Sequence, residues 1–311
     1  MSFTVSLAII TFNSQLYIEE TLESVLNLDE FPDELLIIDN ASTDETVSIV
    51  NEFLPKLSTF IRQVKLITLK ENTFASGGLT LALKESEFKY LAILHGDDCL
   101  NAEYFHSIRS FFKNSPDIDI LNVSLKEFGV VTSTPKVLKP LWTPFDFLNR
   151  LLVNGLNPGT MPGAVIRRDF FDFDLPFTDL PAVNGVEDTI MWSSAVRHGA
   201  KVRGLRTPVV AYRRHEAQSS SSHQMAFFSG ISRRYLIVSS PNLISKLLSL
   251  SEVEYEKRVY WNNQSEYQDG LENLSVPLCV SWFRIVNILL RRISRIINSI
   301  DELLGNPSRS D

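Results

Sequence analysis

The chain has 311 residues, of which 44% are hydrophobic and 22% charged, as expected for a globular protein with one large domain or one domain and an appendage. A formal net charge of −7 argues against a broad nucleic-acid-binding surface, although a bound cation could still attract an anionic nucleotide. Two cysteines make no disulfide framework and favour a reducing, cytoplasmic compartment.

The first hundred residues alternate between short apolar runs and helical patterns. Residues 5–10 predict a buried strand and not a signal peptide, because no basic segment precedes them and no small-residue cleavage site follows. Further strands are predicted at 35–38, 64–69 and 90–94, each separated from the last by a helix. This alternation predicts a mainly parallel sheet with helices on both faces.

Local signals predict where two of these helices begin and end. Ser42 and Glu45 have the spacing of a capping box, and Pro55 is expected to end the helix that follows. Gly77 and Gly78 predict a loop before a short third helix.

The alternation stops near residue 125. A helix is predicted at 145–153, a strand at 163–166, and a helix that begins at Glu187 and Asp188 and ends at Gly199. Residues 202–205 and 209–212 predict an edge hairpin, and the chain from about residue 224 has a helical character.

Polar residues follow the ends of the predicted strands. Thr11, Asp39, Asn72 and Asp97 each lie at or just past a strand end. In open parallel sheets, ligands bind beyond the carboxyl ends of the strands. These residues are therefore expected to surround a ligand.

The order of these motifs resembles the inverting glycosyltransferases of family 2, of the bacterial surface-polysaccharide type, over residues 4–222. The matching segments are Thr11-Phe12-Asn13, residues 39–44, residues 71–98, Glu187-Asp188 and residues 212–215. Two positions depart from the family pattern. His95 stands where the Asp-x-Asp motif has its first Asp, and Leu79 stands where many members have an Arg.

The resemblance implies a GT-A-like α/β fold: a mainly parallel nucleotide-binding sheet flanked by helices, a smaller acceptor-side region and a helical C-terminal tail. We place a glycosyltransferase domain at 1–223, with a nucleotide-binding half at 1–124 and an acceptor-binding half at 125–223. The helical region would occupy 224–311.

The resemblance also implies a reaction and the residues that perform it. A sugar would pass from a nucleotide diphosphate donor, by expectation a UDP-sugar, to an acceptor hydroxyl with the help of Mn²⁺ or Mg²⁺. Asp188 would be the catalytic base, with Glu187 beside it. The metal would be held by Asp97, Asp98 and His215, and the donor by the strand-end residues and their neighbours: Thr11, Asn13, Asp39, Asn72, His95, Asp97 and Arg214.

Structural explanations remain open for several of these residues. Asp97 and Asp98 could form a plain turn, His95 a packed polar residue, and His215 a surface residue. For Asp44 we favour a role in holding its own turn. Of Arg213 and Arg214, which could both meet phosphate charge, at least one is expected to face solvent.

The expected acceptor is a saccharide or a lipid-linked saccharide in bacterial surface-polysaccharide synthesis. The basic, amphipathic segment 276–304 could lie on the inner face of the cell membrane, pack on its own domain or join a second subunit. Two rival functions remain: a nucleotidyltransferase, disfavoured because no Gly-rich basic loop follows the first strand, and a catalytically silent nucleotide-binding or scaffolding protein.

Overall fold

A computed structural model describes residues 3–129, 141–142, 159–171, 188, 191–192, 195 and 200–215. Its first part alternates strands and helices as the sequence predicts. In chain order these are β1 (Val5–Thr11), α1 (Ile18–Leu26), β2 (Glu34–Asp39), α2 (Thr46–Leu57), β3 (Gln63–Thr68), α3 (Phe74–Glu85) and β4 (Tyr90–His95).

The second part adds shorter strands and departs from the strict alternation. It contains β5 (Cys99–Leu100), α4 (Tyr104–Asn114), β6 (Ile120–Gly129), β7 (Leu141–Trp142), β8 (Val165–Arg167), a 3₁₀ helix (Arg168–Phe171) and β9 (Val202–Arg214). All of these strands join one mixed sheet in the order β3-β2-β1-β4-β8-β6-β9-β5, and β7 pairs with β9.

The parallel strands β1 to β4 end together at one edge of the sheet, which we call the carboxyl edge. Thr11 pairs with Asp39 across β1 and β2, and Ile10 pairs with His95 across β1 and β4. This register brings Thr11, Asp39 and His95 to the same edge, as the sequence predicts. We call the opposite end of these strands the amino edge.

Helices cover both faces of the sheet. Successive residues of a strand point to opposite faces, so Leu7 and Ile9 join one buried cluster while Ala8 and Ile10 join the other. The first cluster includes apolar residues of α1, α2 and α4, and the second includes those of α3. Because both faces are buried, the strands consist almost wholly of apolar residues.

The predicted start and end of α2 are wrong. Pro55 lies inside the helix, which continues to Leu57, and Leu57 is fully buried in the core. Burial of this last turn compensates for the backbone hydrogen bond that a proline cannot make. Glu45 caps no backbone group with its side chain, and Asp44 Oδ1 instead accepts a hydrogen bond from the Thr46 N–H at 3.0 Å.

Gly77 and Gly78 lie within α3, so the predicted glycine loop is also wrong. A Cβ atom on Gly78 would lie 2.7 Å from Ile10 Cγ2, which is closer than side-chain atoms pack. The glycine therefore lets α3 approach β1 closely. This tertiary contact outweighs the weak helix propensity of glycine.

The predicted hairpin at 202–212 is a single strand, β9, which runs parallel to β6. Its pairing with β6 shifts register on both sides of Ser124. These irregularities take up residues 206–207 and residue 209 without reversing the chain. The hairpin prediction is therefore wrong, because the segment contains a bulge-like break in one strand and no reversal.

Part of the predicted structure falls outside the described residues. This applies to Glu187, to the helix at 145–153 and to the region 224–311, and the domain boundaries remain predictions. Asp188, Met191, Trp192 and Ala195 are helical, which agrees with a helix at that position. Among the helices described, none has both the length and the apolar character needed to span a bilayer.

Candidate functional site

The carboxyl edge contains buried polar atoms that lack a hydrogen-bond partner. Of the seven such atoms within the described ranges, four belong to residues we predicted for the site: Thr11 Oγ1, Asp39 Oδ1, Asp98 Oδ2 and His215 Nδ1. The other three belong to Glu34, Gln63 and Trp192. Buried polar atoms in folded proteins nearly always have a partner. The grouping of the first four at one edge indicates that a ligand or ion is expected to supply the missing contacts.

Asp39 has one carboxylate oxygen bound and one available. Its Oδ2 accepts a hydrogen bond from the Ser42 N–H at 3.0 Å, while Oδ1 is buried without a partner. Two restraints fix the orientation of this carboxylate: the bond to Ser42, and burial that leaves Asp39 only 2% exposed. Oδ1 is therefore a rigid acceptor next to Thr11 in the sheet register.

Asn13 and Asp44 connect the loops that follow β1 and β2. The Asn13 N–H donates to Ser42 Oγ at 2.8 Å, and Asn13 Oδ1 accepts from the Thr43 N–H at 2.9 Å. Burial raises the pKa of the Asp44 carboxyl, but hydrogen bonds from Thr46 and Gln15 outweigh it and hold that pKa below its usual value. Asp44 thus has the turn-holding role that we favoured.

Asn72 and Asn40 organise the loop that follows β3. Asn72 Oδ1 accepts from the Phe74 N–H at 2.7 Å, so the predicted donor contact would have to use the rest of its amide. Asn40, which the sequence analysis did not single out, accepts from the Thr73 N–H at 2.8 Å and donates to the Phe74 carbonyl at 2.8 Å. Its position directly after Asp39 was the available signal.

The loop after β4 gathers a cluster that could hold a metal ion. His95, Asp97 and Asp98 each offer a ligand atom, and these atoms lie within 4.8 Å of one another. Asp98 is fully buried, and its Oδ2 lies 3.8 Å from His95 Nδ1. Burial, and then the neighbouring Asp97 charge, raise the pKa of the Asp98 carboxyl well above its usual value.

His215 lies against this cluster although it is far away in sequence. Its Nε2 is 3.0 Å from Asp97 Oδ2, and its ring packs on Tyr17 with 4.4 Å between centroids. Only 12% of its side chain is exposed. The structure thus brings together the three residues predicted to hold the metal, and it places His215 in the site and not on the open surface.

Arg214 is paired within the protein. Its Nε and Nη2 donate to Glu127 Oε1 at 3.1 and 2.7 Å, and its guanidinium lies 5.0 Å from the centre of the Tyr212 ring. The carboxylate of Glu127 already compensates the charge of this arginine. The phosphate contact of Arg214 therefore stays a prediction.

The helix of Asp188 packs on the same sheet. Met191 and Trp192 belong to the buried cluster that contains Ile10 and Ile93, the residues just before the ends of β1 and β4. Asp188 itself is partly buried. Its role as base stays a prediction, as does that of Glu187, which lies outside the described residues.

Gly96 was missed as a site residue. A Cβ atom there would lie 2.4 Å from Thr11 Oγ1, so only glycine lets the loop after β4 close over the end of β1. The acidic loop and Thr11 are therefore neighbours because residue 96 has no side chain. Its place inside the His95–Asp98 motif was the sequence signal.

Residues 6–173 match the family described as Glycosyl transferase family 2. This range covers more than half of the chain and includes most of the carboxyl edge. The chain belongs to glycosyl transferase family 2. The resemblance stated from the motifs is thereby confirmed, and this glycosyltransferase shares its activity class with the relatives described next.

Two bacterial proteins are similar to this glycosyltransferase along part of their length. An uncharacterized glycosyltransferase of Haemophilus influenzae is 26% identical over 230 residues, which cover 70% of this chain and 67% of that relative. The poly(ribitol-phosphate) beta-N-acetylglucosaminyltransferase TarS of Staphylococcus aureus is 29% identical over 168 residues. That alignment covers 53% of this chain but only 28% of TarS.

Solved structures show the same fold. The S. aureus TarS structure with UDP-GlcNAc has a TM-score of 0.64 and 21% sequence identity, covering 87% of this chain and 77% of that one. The mannosyltransferase PcManGT of Pyrobaculum calidifontis, solved with GDP-Man and Mn²⁺, has a TM-score of 0.54 and 16% identity over 99% of this chain and 83% of that one. The expected GT-A-like α/β fold is confirmed.

Proposed function

We propose that this glycosyltransferase moves a sugar from a UDP-sugar to an acceptor hydroxyl with inversion, and that it needs Mn²⁺ or Mg²⁺. The observation that carries the proposal is the set of buried atoms without partners at the carboxyl edge. Two of them, in Asp98 and His215, lie beside Asp97, and two, in Thr11 and Asp39, lie at the paired ends of β1 and β2. A cation and a nucleoside would complete the two pairs.

The donor atoms of the acidic loop fit a divalent cation. Carboxylate oxygens and imidazole nitrogens suit Mn²⁺, and Mg²⁺ needs only one or two carboxylates because it keeps several waters. Asp97 is the first ligand we propose, with Asp98 and His215 beside it, and His95 completes the cluster. A bound cation would neutralise the charge that develops on the leaving diphosphate.

Thr11 and Asp39 would bind the nucleoside. Asp39 Oδ1 is a fixed, buried acceptor and suits an N–H of the base or a ribose hydroxyl. Thr11 Oγ1 can donate or accept one further hydrogen bond from the same edge. UDP is the first nucleotide we propose, because TarS, which shares the fold, has been solved with UDP-GlcNAc.

The acceptor is proposed to be a saccharide of a bacterial surface polysaccharide, free or lipid-linked. This rests on TarS, whose name describes transfer of N-acetylglucosamine to poly(ribitol-phosphate). Contact with the inner face of the membrane is also a proposal. It depends on residues 276–304, which lie outside the described residues.

A thermal-shift experiment tests the donor and metal assignments together. The full chain is heated with UDP, GDP or neither, each with and without Mn²⁺. We expect the largest stabilisation with UDP and Mn²⁺ together, because a ligand that binds only the folded state stabilises it by mass action. If neither UDP nor GDP stabilised the protein at any Mn²⁺ concentration, the proposal would be wrong. Binding without hydrolysis or transfer would favour the silent scaffold.

Asp188 is proposed as the base that removes the acceptor proton on the face opposite the leaving group. We expect Asp188→Asn to keep the thermal shift with UDP and Mn²⁺ and to lower transfer by about 100-fold or more, since a general base typically contributes about 100- to 10,000-fold. Donor turnover in the presence of acceptor measures this. Normal transfer by the variant would remove Asp188 from the mechanism.

A further inference from the structure

Arg213 directly follows Tyr212 and precedes the predicted phosphate-binding Arg214, yet its contacts point into the protein. Only 12% of its side chain is exposed. Its Nε donates to the main-chain carbonyl of Asp97 at 2.8 Å, and its Nη2 pairs with Glu20 in α1. The guanidinium thus connects α1 to the acidic loop.

Two aromatic rings hold the guanidinium in place. Its central carbon lies 5.0 Å from the centre of the Tyr17 ring and 4.4 Å from that of Phe128. Cation–π contacts of this kind favour arginine over lysine, because a planar guanidinium stacks on a ring while keeping its N–H groups for other partners. Tyr17 also packs against His215, so one ring contacts both residues.

The main chain of Arg213 fixes the second carboxylate of the loop. Its N–H donates to Asp98 Oδ1 at 2.9 Å, and its side chain holds the Asp97 carbonyl. Both contacts are made from one residue of β9. The acidic loop is therefore anchored at each of its two carboxylate residues by Arg213.

Holding the acidic loop in this arrangement brings two carboxylates close together, and a nearby cation reduces their repulsion. Asp97 and Asp98 offer carboxylate oxygens within 4.8 Å of each other, and Asp98 is fully buried, so two like charges lie close together. The Arg213 guanidinium contacts this loop through the main-chain oxygen of Asp97, which is not one of the proposed metal ligand atoms. It can thus offset their charge without occupying the atoms that would bind a metal.

We propose that Arg213 is a positioning residue that holds Asp97 and Asp98 in the arrangement a divalent cation requires, and that it does not bind the donor phosphates. The expected change in metal requirement rests on the proposed metal-dependent function. The anchoring of the acidic loop by Arg213 can be measured without metal. The positioning role predicts that loss of the guanidinium weakens metal use more than it weakens the fold.

The main test compares Arg213→Met with Arg109→Met in the full chain. Arg109 also bonds a carboxylate and a main-chain carbonyl, Glu30 and Phe31, but it does so at the amino edge. With UDP present, we expect Arg213→Met to raise the Mn²⁺ concentration for half-maximal thermal stabilisation by about tenfold, as loss of one charged hydrogen bond would. Arg109→Met should leave it unchanged.

A thiol measurement follows the loop without metal or nucleotide. Cys99 is 8% exposed, and its Sγ lies 3.9 Å from Arg213 Nη2. In a Cys279→Ser background, Cys99 is the remaining thiol of the chain. Because the buried thiol reacts once the loop opens to solvent, we expect a neutral disulfide reagent to label Cys99 faster in Arg213→Met than in the parent. This holds although, in the closed loop, Arg213 partly offsets the rise that burial causes in the pKa of Cys99. Labelling in Arg109→Met should proceed at the parent rate.

Two conservative variants keep the test decisive if Arg213→Met does not fold. Arg213→Lys keeps the charge but loses the planar stack, so it should recover part of the Mn²⁺ response. Glu20→Gln removes an exposed partner of the guanidinium and should shift the Mn²⁺ requirement in the same direction by a smaller amount. Equal Mn²⁺ requirements and equal labelling in all variants would overturn the inference.

The outcomes separate this inference from the proposed function. If the parent protein shows no Mn²⁺-dependent nucleotide binding, the proposed function fails, and the labelling rates still decide whether Arg213 holds the loop. If the parent binds normally and Arg213→Met shows a weaker UDP response that excess Mn²⁺ does not restore, the arginine contacts the phosphates directly and the positioning role is wrong.

Discussion

The two edges of the sheet contain similar charged residues but treat them differently. At the amino edge, carboxylates lie against cations or main-chain donors: Asp33 accepts from the Val5 N–H at 2.9 Å, and Glu30 pairs with Arg109 at 2.9 Å. Glu34 Oε1 accepts no hydrogen bond there, but it lies 3.5 Å from Lys65 Nζ. At the carboxyl edge, Asp39 and Asp98 each keep one buried oxygen without a hydrogen bond. The amino-edge carboxylates thus hold the fold through nearby cations or main-chain donors, whereas Asp39 and Asp98 each keep an oxygen available for a ligand.

The pKa directions differ in the same way. A hydrogen bond from His106, assisted by Arg109, lowers the pKa of the Glu30 carboxyl. Burial and the Asp97 charge raise the pKa of the Asp98 carboxyl. A buried carboxyl with a raised pKa beside a second carboxylate is what a fold that keeps groups ready for a ligand is expected to show.

The largest expected effect tests whether the carboxyl edge is built for function at the cost of stability. We expect Asp97→Asn to lower transfer by at least about 100-fold, because even the outer partners of metal ligands cost about 10- to 100-fold when removed. Its melting temperature without metal should not fall, because the substitution removes the repulsion on Asp98. Transfer assays and thermal melts of one preparation measure both.

Asp117→Asn is the matched control for Asp97→Asn. Asp117 is 63% exposed and pairs with Lys201 on the surface. It should leave transfer and metal response unchanged. If Asp97→Asn kept its manganese dependence, or if it destabilised the metal-free protein strongly, the contrast between the two edges would be wrong.

The sequence was sufficient for the parallel strands and for the residues at their ends. Buried parallel strands consist of continuous apolar runs, and the polar residue after each run must lie at the carboxyl edge. Thr11, Asp39 and Asp97 were found in this way. Their grouping follows from connectivity alone and needs no knowledge of packing.

The errors came from features that depend on distant contacts. The glycines of α3 predicted a loop, whereas the absence of a side chain at Gly78 allows the helix to pack closely against Ile10. The strand β9 read as a hairpin, because its irregular pairing with β6 is not visible in its own residues. The role of Arg213 needed the positions of Tyr17, Phe128 and the acidic loop, which come together only in the fold.

A smaller effect is expected at the amino edge, where charge supports the fold. Glu34 is fully buried, and its Oε2 accepts from Ser6 Oγ at 2.6 Å and from the Glu87 N–H at 2.9 Å. We expect Glu34→Gln to reduce the free energy of unfolding by about 2 kcal/mol, since it weakens charged hydrogen bonds in the interior. That corresponds to a fall in melting temperature of about 4–8 °C.

Glu87→Gln is the control for Glu34→Gln. The Glu87 side chain is 52% exposed where it meets Lys65, so its loss should change the melting temperature little. Both variants should keep the manganese dependence of the parent. A Glu34→Gln variant that melted normally but lost donor binding would mean that the amino edge also serves the site.

The smallest expected effect is at Gly96, where the stability of the fold and the shape of the candidate site depend on the same contact with Thr11. Gly96→Ala would place a Cβ atom 2.4 Å from Thr11 Oγ1 and 2.7 Å from Thr11 Cβ, so the loop after β4 or the end of β1 must move. Forced overpacking of this kind costs about 1–3 kcal/mol, and we expect the lower half of that range, since the loop is at the end of the strand.

Thr11→Ala shows whether that clash is the cause. In the double variant with Gly96→Ala, the alanine at residue 11 removes the 2.4 Å contact with Oγ1 but keeps the Cβ atom 2.7 Å away, so the clash is relieved in part and the stability loss of the pair should be smaller than the sum of the single losses. Thermal melts of the parent and three variants measure this. Additive losses would mean that Gly96 is needed for its backbone and not for its contact with Thr11. If the double variant regained stability but still bound UDP and Mn²⁺ poorly, the result would indicate that the Thr11 hydroxyl binds the donor.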